Sequence, residues 1–484
     1  MAEWLQQRGV SARAYHADLQ AEDRIAAEQQ LLNNEVKALV ATVALGMGFD
    51  KPDLGFVVHF QRPGSVVAYY QQVGRAGRAV DSAFGILLSG REDDEIQDYF
   101  IRTAFPSREV MEEILQELAG NEGMTVDEIG AALNYARSTL EKALKLLEVD
   151  GAVQQHQTKF SRTANRWSPD LLRAEQVTGH RRAELVEIQN YVEHTGCFME
   201  FLSRALDDPA AAPCGKCMNC TGKTERRPAP PELIHAAAEF LRNDTLILEA
   251  RHHWPKPVLK ELEKAWPAMV ARFETGKPKV TIPSHLCAEE GRVLCSYGDA
   301  GWGREVARGK YETRRFSDAL VTAAADLIVA KWKPEPALRW VTAVPSQRHP
   351  TLVLDFAQRV AERLGLPLKP VLRKRRETRP QKEMQNSAMQ LHNLIKAFEV
   401  VSPQPVPMPA EQRPNGFTSM VRRLSQEVAS VIAQPPILDP GPVLLVDDVA
   451  DSRWTLTLAA VLLRLHGSGP VFPFALARAS LRGG

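Results

Sequence analysis

The sequence predicts a multidomain α/β protein, and three observations carry that reading. The chain has 484 residues, too many for one core and enough for roughly three domains. Short apolar runs bounded by Gly, Pro or Asp occur near both ends: Lys37 to Thr42, Gly55 to Phe60, and Pro442 to Val446. They read as buried parallel strands alternating with helices. The composition, 44% hydrophobic and 25% charged, is ordinary for a globular protein, and no apolar run reaches the ~18 residues a membrane helix needs. Residues 1–6 have neither the basic start nor the apolar stretch of a secretory signal. A membrane protein is excluded, and six cysteines in such a chain point to metal or free thiols rather than a disulfide framework.

Residues 1–105 alternate helix and strand and are expected to form one α/β layer. From Ser107 the pattern turns helical. Val110, Ile114, Leu115 and Leu118 share a face; Thr125-Val126-Asp127-Glu128-Ile129 opens a helix; Asn134 to Ser138 separates it from a second reaching Leu147. Asp150-Gly151 and a polar hairpin-like stretch to Phe160 follow, so a winged helix is expected over 106–168. Its outer face, Arg137, Glu141, Lys142, Lys145 and Glu148, is nearly charge-balanced and favours packing over strong DNA reading. Residues 180–206 are amphipathic and lead into four cysteines, which places a module at 169–222. Arg226-Arg227-Pro228-Ala229-Pro230-Pro231 reads as a stiff linker, a mixed basic domain is expected over 223–335, and a last α/β domain over 336–484. The proline-rich stretch 402–416 is expected to be a disordered insertion.

The net charge of +1 conceals an asymmetry: −4 over residues 1–105, −6 over 106–220, +10 over 221–400 and +1 over 401–484. A +10 segment is where a polyanion partner is to be sought, because phosphate neutralisation dominates nucleic-acid affinity; a solvated basic face without a ligand is the other reading. Arg373, Lys374, Arg375, Arg376, Arg379 and Lys382 lie in this segment. With Trp302, Trp332 and Trp340 they could form a track for DNA, although tryptophans alone are more often core.

Cys197, Cys214, Cys217 and Cys220 have sixteen-, two- and two-residue gaps. Two-residue gaps turn neighbouring thiolates toward one centre, and a ligand from the preceding helix closes a tetrahedral Zn2+ site. Four reduced buried thiols, or an iron–sulfur cluster, are the alternatives. Cys287 and Cys295 have no such partners.

Three strings in the first segment carry chemistry: Tyr15-His16-Ala17-Asp18-Leu19; the run from Thr42 through Gly46, Gly48 and Asp50 to Pro52; and Tyr69-Tyr70-Gln71-Gln72-Val73-Gly74-Arg75-Ala76-Gly77-Arg78. Two arginines spaced by Ala-Gly put fixed positive charge on a loop, an arrangement that stabilises charge on a transferring phosphoryl group. The wording and spacing of all three strings resemble the second RecA-like motor domain of RecQ-like DNA helicases of superfamily 2, over essentially residues 1–105. The resemblance implies that Arg78 is the arginine finger, that Gln71 and Arg75 accompany it at the nucleotide cleft, and that Thr42, Gly46, Gly48 and Asp50 couple nucleotide state to DNA grip. It also implies that the cysteine cluster is the zinc module of these helicases. Their winged helix usually follows that module, whereas here it precedes the cysteines.

A motor of this kind binds ATP and Mg2+ between two domains. The first supplies a Gly-x-x-x-x-Gly-Lys-Ser/Thr loop and an Asp-Glu metal site, and this sequence contains neither: Gly222-Lys223-Thr224 has Cys217 where the loop needs Gly. The chain alone is therefore expected to be inactive, its missing half to act in cis or in trans.

Val443 to Thr455 is a strand, an acidic pair and a loop entering a helix. Such a loop binds a 5′-phosphate through backbone N–H groups while carboxylates hold ribose hydroxyls or a metal. It resembles the phosphoribosyl-diphosphate loop of type I phosphoribosyltransferases, with Asp447, Asp448, Asp451, Ser452 and Thr455 in that loop. Val344-Pro345-Ser346, Arg373 to Arg376, Gln381, Asn393 and Ala397-Phe398 are similar to the ComF-type branch, over about 336–484. Where the family has a small residue and then Gly, this chain has Ser452 and Arg453. Arg453 and Trp454 would crowd the pocket and instead offer a charge and a stacking surface for nucleic acid. The fold is expected to be reused for binding. Together the segments resemble bacterial RecQ-like helicases with a phosphoribosyltransferase-like C-terminus, implying DNA repair or recombination and a cytoplasmic, nucleoid-associated location. A DNA-binding scaffold without motor activity, or a phosphoribosyltransferase with helicase remnants, are the alternative functions.

Overall fold

The computed structural model describes residues 1–42, 45, 49–168, 171–223, 228–243, 246–273, 275–402 and 438–479. The chain folds into two compact units, each made of two separated stretches: 1–108 with 168–237, and 109–167 with 238–484. Five consecutive domains were the expectation. The structure instead pairs the first segment with the third, and the second with the last two.

In the first unit, β1 (Ala12–Tyr15) pairs in parallel with β2 (Ala38–Ala41), and β3 (Phe56–His59) with β4 (Phe84–Leu87). These form separate two-stranded sheets. β2 and β3 fall where the apolar runs place them, but the strands are not buried on both faces: Phe56, Val58, Phe84 and Ile86 are exposed. A sheet two strands wide has no interior strand. The helix Val66–Val73 starts where Ser65 accepts a hydrogen bond from the Ala68 amide (3.1 Å), satisfying one of the free N–H groups of a first turn. Its buried face, Val66 and Tyr69, packs against Ile188, Tyr191 and Leu202 of the helices Leu171–Glu193 and Phe198–Ala205. Buried Arg62 pairs with Asp94, which also accepts from Gln189 Nε2 (2.7 Å). The cysteine-bearing segment is thereby fastened to the helix that ends in the Arg75–Arg78 loop.

In the second unit the helices Val126–Ala132 and Arg137–Val149 lie between the first and the later strands of an antiparallel sheet, ordered β5 (Met124–Thr125), β7 (Lys159–Arg162) and β6 (Val153–His156). Thr125 and Glu128 form the reciprocal cap that the sequence announces. Ile114, Ile129, Leu140, Leu144 and Leu147 fill the core. The turn between the two helices is clamped by a distant segment. Asn386 Nδ2 donates to the carbonyls of Gly130 (2.7 Å), Leu133 (3.3 Å) and Tyr135 (3.1 Å), and Asn134 bonds Glu383 O and the Gln385 amide.

The remaining mass is built on a five-stranded sheet, ordered β10 (Trp340–Ala343), β13 (Val443–Ala450), β14 (Val471–Arg478), β9 (Gly291–Ser296) and β8 (Leu246–Leu248). All are parallel except the edge strand β8. A short antiparallel pair, β11 (Leu372–Lys374) and β12 (Phe398–Val400), lies outside it. Successive residues of a strand face opposite sides. Leu445 packs with Leu458 and Leu462 of the helix Trp454–Leu465, while Leu444 and Val446 pack with Phe356 and Val360 of Leu352–Leu364. Both faces are covered, which is why Val443 to Val446 is apolar without alternation. The expected boundary at 335 does not exist, because β8 and β9 lie before it and β10 after it in one sheet. At Gly291 an added Cβ would meet Pro473 O at 2.3 Å. From residue 403 the proline-rich stretch lies outside the described residues.

Candidate functional site

At the first unit, the carboxyl end of β2 and the loop after the helix Val66–Val73 converge. Arg78 Nη1 lies 2.7 Å from Asp50 Oδ1, and Arg75 Nη1 donates to Phe49 O at 3.0 Å. Thr42 is held by its amide to Tyr15 O (3.1 Å). Gly77 takes φ 81° and donates to Leu54 O, and the open turn presents Arg78 to solvent. The Arg78–Asp50 pair is about half exposed, so it contributes roughly 0–1 kcal/mol and is readily exchanged for an anionic ligand. Gln71 is exposed one turn before Arg75. Gly46 and Gly48 lie outside the described residues. His59 bonds Gln72 (2.6 Å) and packs at a tilt on Tyr69, bracing the same helix.

The sulfurs of Cys197, Cys214, Cys217 and Cys220 all lie within 4.8 Å of one another. Backbone amides point at them: Glu200 N and Cys214 N donate to Cys197 Sγ (3.4 and 3.2 Å), and Cys217 N to Cys214 Sγ (3.3 Å). Burial raises the Cys197 thiol, but the amides of Cys214 and Glu200 outweigh it and hold it at about 6. Cys220, sharing the protons of Cys217 and Cys197, is pushed up to about 12. Gly215 at φ 67° makes the turn between ligands, and Asn219 Nδ2 ties the loop to His194 O and Gly196 O at 2.8 Å each. Amides aimed at thiolates and four sulfurs around one point suit a tetrahedral metal ion.

A third constellation lies at the carboxyl edge of the five-stranded sheet, where ligands of open parallel sheets bind. Asp447 is largely buried, and burial together with neighbouring Asp448 raises its carboxyl to about 8. Lys310 Nζ lies 2.8 Å from Asp448 Oδ2. Arg314 reaches the His349 ring (3.0 Å), and His349 N donates to Ser346 Oγ (3.2 Å). Sequence reasoning missed Lys310, Arg314 and His349; only Ser346 had been flagged. Asp451 is exposed and Thr455 half-buried.

The loop after the acidic pair is held from outside. Arg251 donates twice to Ser452 O (2.9 and 2.7 Å) and lies 4.4 Å over the Trp454 ring, while Trp254 stacks on Trp454. Arg453 adopts φ 68°, the left-handed region that Gly would favour. Its guanidinium leaves toward Glu249 (3.2 Å to Oε2). The expected crowding is thereby corrected: Arg453 and the fully buried Trp454 turn away from the pocket, and neither is a free surface for nucleic acid.

Of the basic run, Arg373 and Arg375 both pair with Glu399 (2.6 and 3.5 Å). Arg376 caps the helix Ser387–Leu394 through the carbonyls of Asn393 (3.0 Å) and Ile395 (2.9 Å). Arg379 is bound through its backbone to Asn393 (3.1 Å). Lys374 is half-buried and depressed by burial and by Arg376 and Arg348, and Lys382 is exposed. The track with tryptophans does not form: Trp340 is enclosed and donates to Gly441 O, Trp332 packs edge-on to Phe472, and Trp302 lies under Arg242.

Residues 1–80 match the family model of the helicase conserved C-terminal domain. The first part of the chain is similar in sequence to RecQ helicases. It is similar to the ATP-dependent DNA helicase RecQ of Synechocystis, 31% identical over 242 residues, 46% of each chain. It is also similar to RecQ of Pasteurella multocida, 47% identical over 78 residues (16% of this chain, 12% of that one). The ATP-dependent DNA helicase Q1 of Rattus norvegicus is 51% identical over 89 residues, 18% and 14% of the two chains. The chain spans less than half the length of these relatives. No helix among the described residues is long and apolar enough to cross a membrane.

Proposed function

We propose that this chain supplies the second motor domain of an ATP-dependent DNA helicase of RecQ type, acting in DNA repair or recombination. It would work with a phosphate-binding half that its sequence lacks. The observation that carries this reading is the Arg78–Asp50 contact. It joins the Gly-Arg-Ala-Gly-Arg loop to Asp50, so an anion drawn to Arg78 would displace the Asp50 carboxylate. Arg78 would stabilise the transferring phosphoryl group, and Arg75 and Gln71 would line the cleft. The cysteines would hold Zn2+, the helices 126–149 with their hairpin form a winged helix, and 238–484 carry a phosphoribosyltransferase-like fold reused for DNA binding. The latch of Arg251 and Glu249 on residues 452–453 supports reuse over transfer, because it spends the loop's polar groups inside the protein.

The test is steady-state ATP hydrolysis with single-stranded DNA. The chain alone should show none above background, and adding a RecQ-type first motor domain, fused or in trans, should restore it. Arg78→Ala should then lower turnover by roughly 10³ or more. Robust hydrolysis by the chain alone, or an indifferent Arg78→Ala, would overturn the reading.

A further inference from the structure

In the second unit, a cleft of about 490 Å³ opens between Trp266, the strand β12 and the end of the helix Trp454–Leu465. That size falls in the ~300–1,000 Å³ range of ligand sites. Its floor is apolar: Leu462 and Val400 are buried, and Trp266 packs partly against the same core while keeping part of its ring open. Its rim is cationic, with Arg375, Arg376 and Lys396 against one carboxylate, Glu399.

Two details set this rim apart from a solvated basic face. Lys396 adopts φ 59°, a left-handed conformation costly for a residue with a Cβ and concentrated at functional positions. Among the described residues it has no carboxylate partner, so its ammonium is displayed rather than spent. Glu399 is already neutralised by Arg373 and Arg375, leaving Arg376 and Lys396 as uncancelled charge beside an open indole. Cations around an aromatic face are what a nucleotide needs, the base stacking and the phosphate paired.

We propose that this cleft holds one unstacked nucleotide of a single-stranded nucleic acid, its base against Trp266 and its phosphate against Lys396, beside the charge of Arg376. The proposal rests on the reading that the second unit binds DNA, and it names where. A duplex is too broad to enter; a free nucleotide shares the chemistry and is separated from a strand by the test.

The experiment uses the full chain and a labelled oligothymidylate, read by fluorescence anisotropy across a salt series. Trp266→Ala should weaken binding about five- to a hundredfold, with Trp266→Phe recovering most of it. Lys396→Glu, on an exposed side chain that the fold does not need, should weaken binding and reduce the slope of log K against log salt by about 0.7 or more. Thymidine monophosphate displacing the strand at comparable concentration would identify a free nucleotide as the occupant of the same cleft. Unchanged binding in Lys396→Glu and Trp266→Ala overturns the cleft while leaving DNA binding by the unit intact, and equal competition by a blunt duplex overturns it as well. A wild-type chain that binds no strand at all removes both readings. Should Trp266→Ala fail to fold, Lys396→Glu decides.

Discussion

At the scale of single residues, the two most informative groups are Cys217 and Asp447. Cys217→Ser should abolish stoichiometric zinc, measured by elemental analysis, and loosen residues 180–222, because a structural site contributes folding energy directly. Iron with visible absorption in the wild type would refute the zinc assignment. Asp447 titrates in the folded state near 8, against about 4 when unfolded. The folded chain thus keeps a proton that the unfolded chain releases, and stability should fall as pH rises from about 4 to about 8, then level. Asp447→Asn should flatten that dependence in melting temperatures recorded across this range; an unchanged profile would show that the carboxyl ionises freely. The four cysteines and the acidic pair were legible in sequence because their chemistry depends on short spacings. Lys310, Arg314 and His349 were not, since they approach Asp448 from segments more than 90 residues away and carry no local pattern.

At the scale of elements, capping and periodicity decided most of what formed. Thr125 with Glu128 starts its helix as read, and Leu140, Leu144 and Leu147 fall on the buried face. What the sequence withheld was the partner of the helix–turn–helix. Asn386 feeds three carbonyls of that turn, so Asn386→Ala should cost about 1–3 kcal/mol by removing donors from partly buried acceptors. Hydrogen exchange should quicken across residues 126–149, and unaltered exchange would show the clamp to be incidental. The burial expected of β3 failed for a related reason: apolar runs report the capacity to be covered, and only neighbours determine whether cover exists.

At the scale of the whole molecule, charge divides with the fold. The first unit is net negative and the second net positive, so DNA affinity should reside in the second. A cut at residue 220 would strip the 109–167 stretch from the body it docks on, and the intact chain is therefore the proper material. Reversing Arg373, Arg375 and Lys382 to Glu should flatten the slope of log affinity against log salt by about 3 for duplex DNA. Arg376 is left in place because it caps a helix. A slope unchanged by the triple reversal would locate the phosphate contacts elsewhere.

The sequence by itself determined the local things: strand and helix positions, the cysteine quartet, the Gly-Arg-Ala-Gly-Arg loop and the acidic pair, because each depends on spacings of a few residues. The tertiary structure decided the rest. It made two units from interleaved segments, merged 223–335 with 336–484 through one sheet, turned Arg453 outward onto Glu249, and gathered Trp266, Lys396 and Arg375 around a cleft. Those outcomes depend on which distant surfaces find each other. Burial is set by the sum of many weak contacts over the whole chain, and no short window of sequence contains that sum.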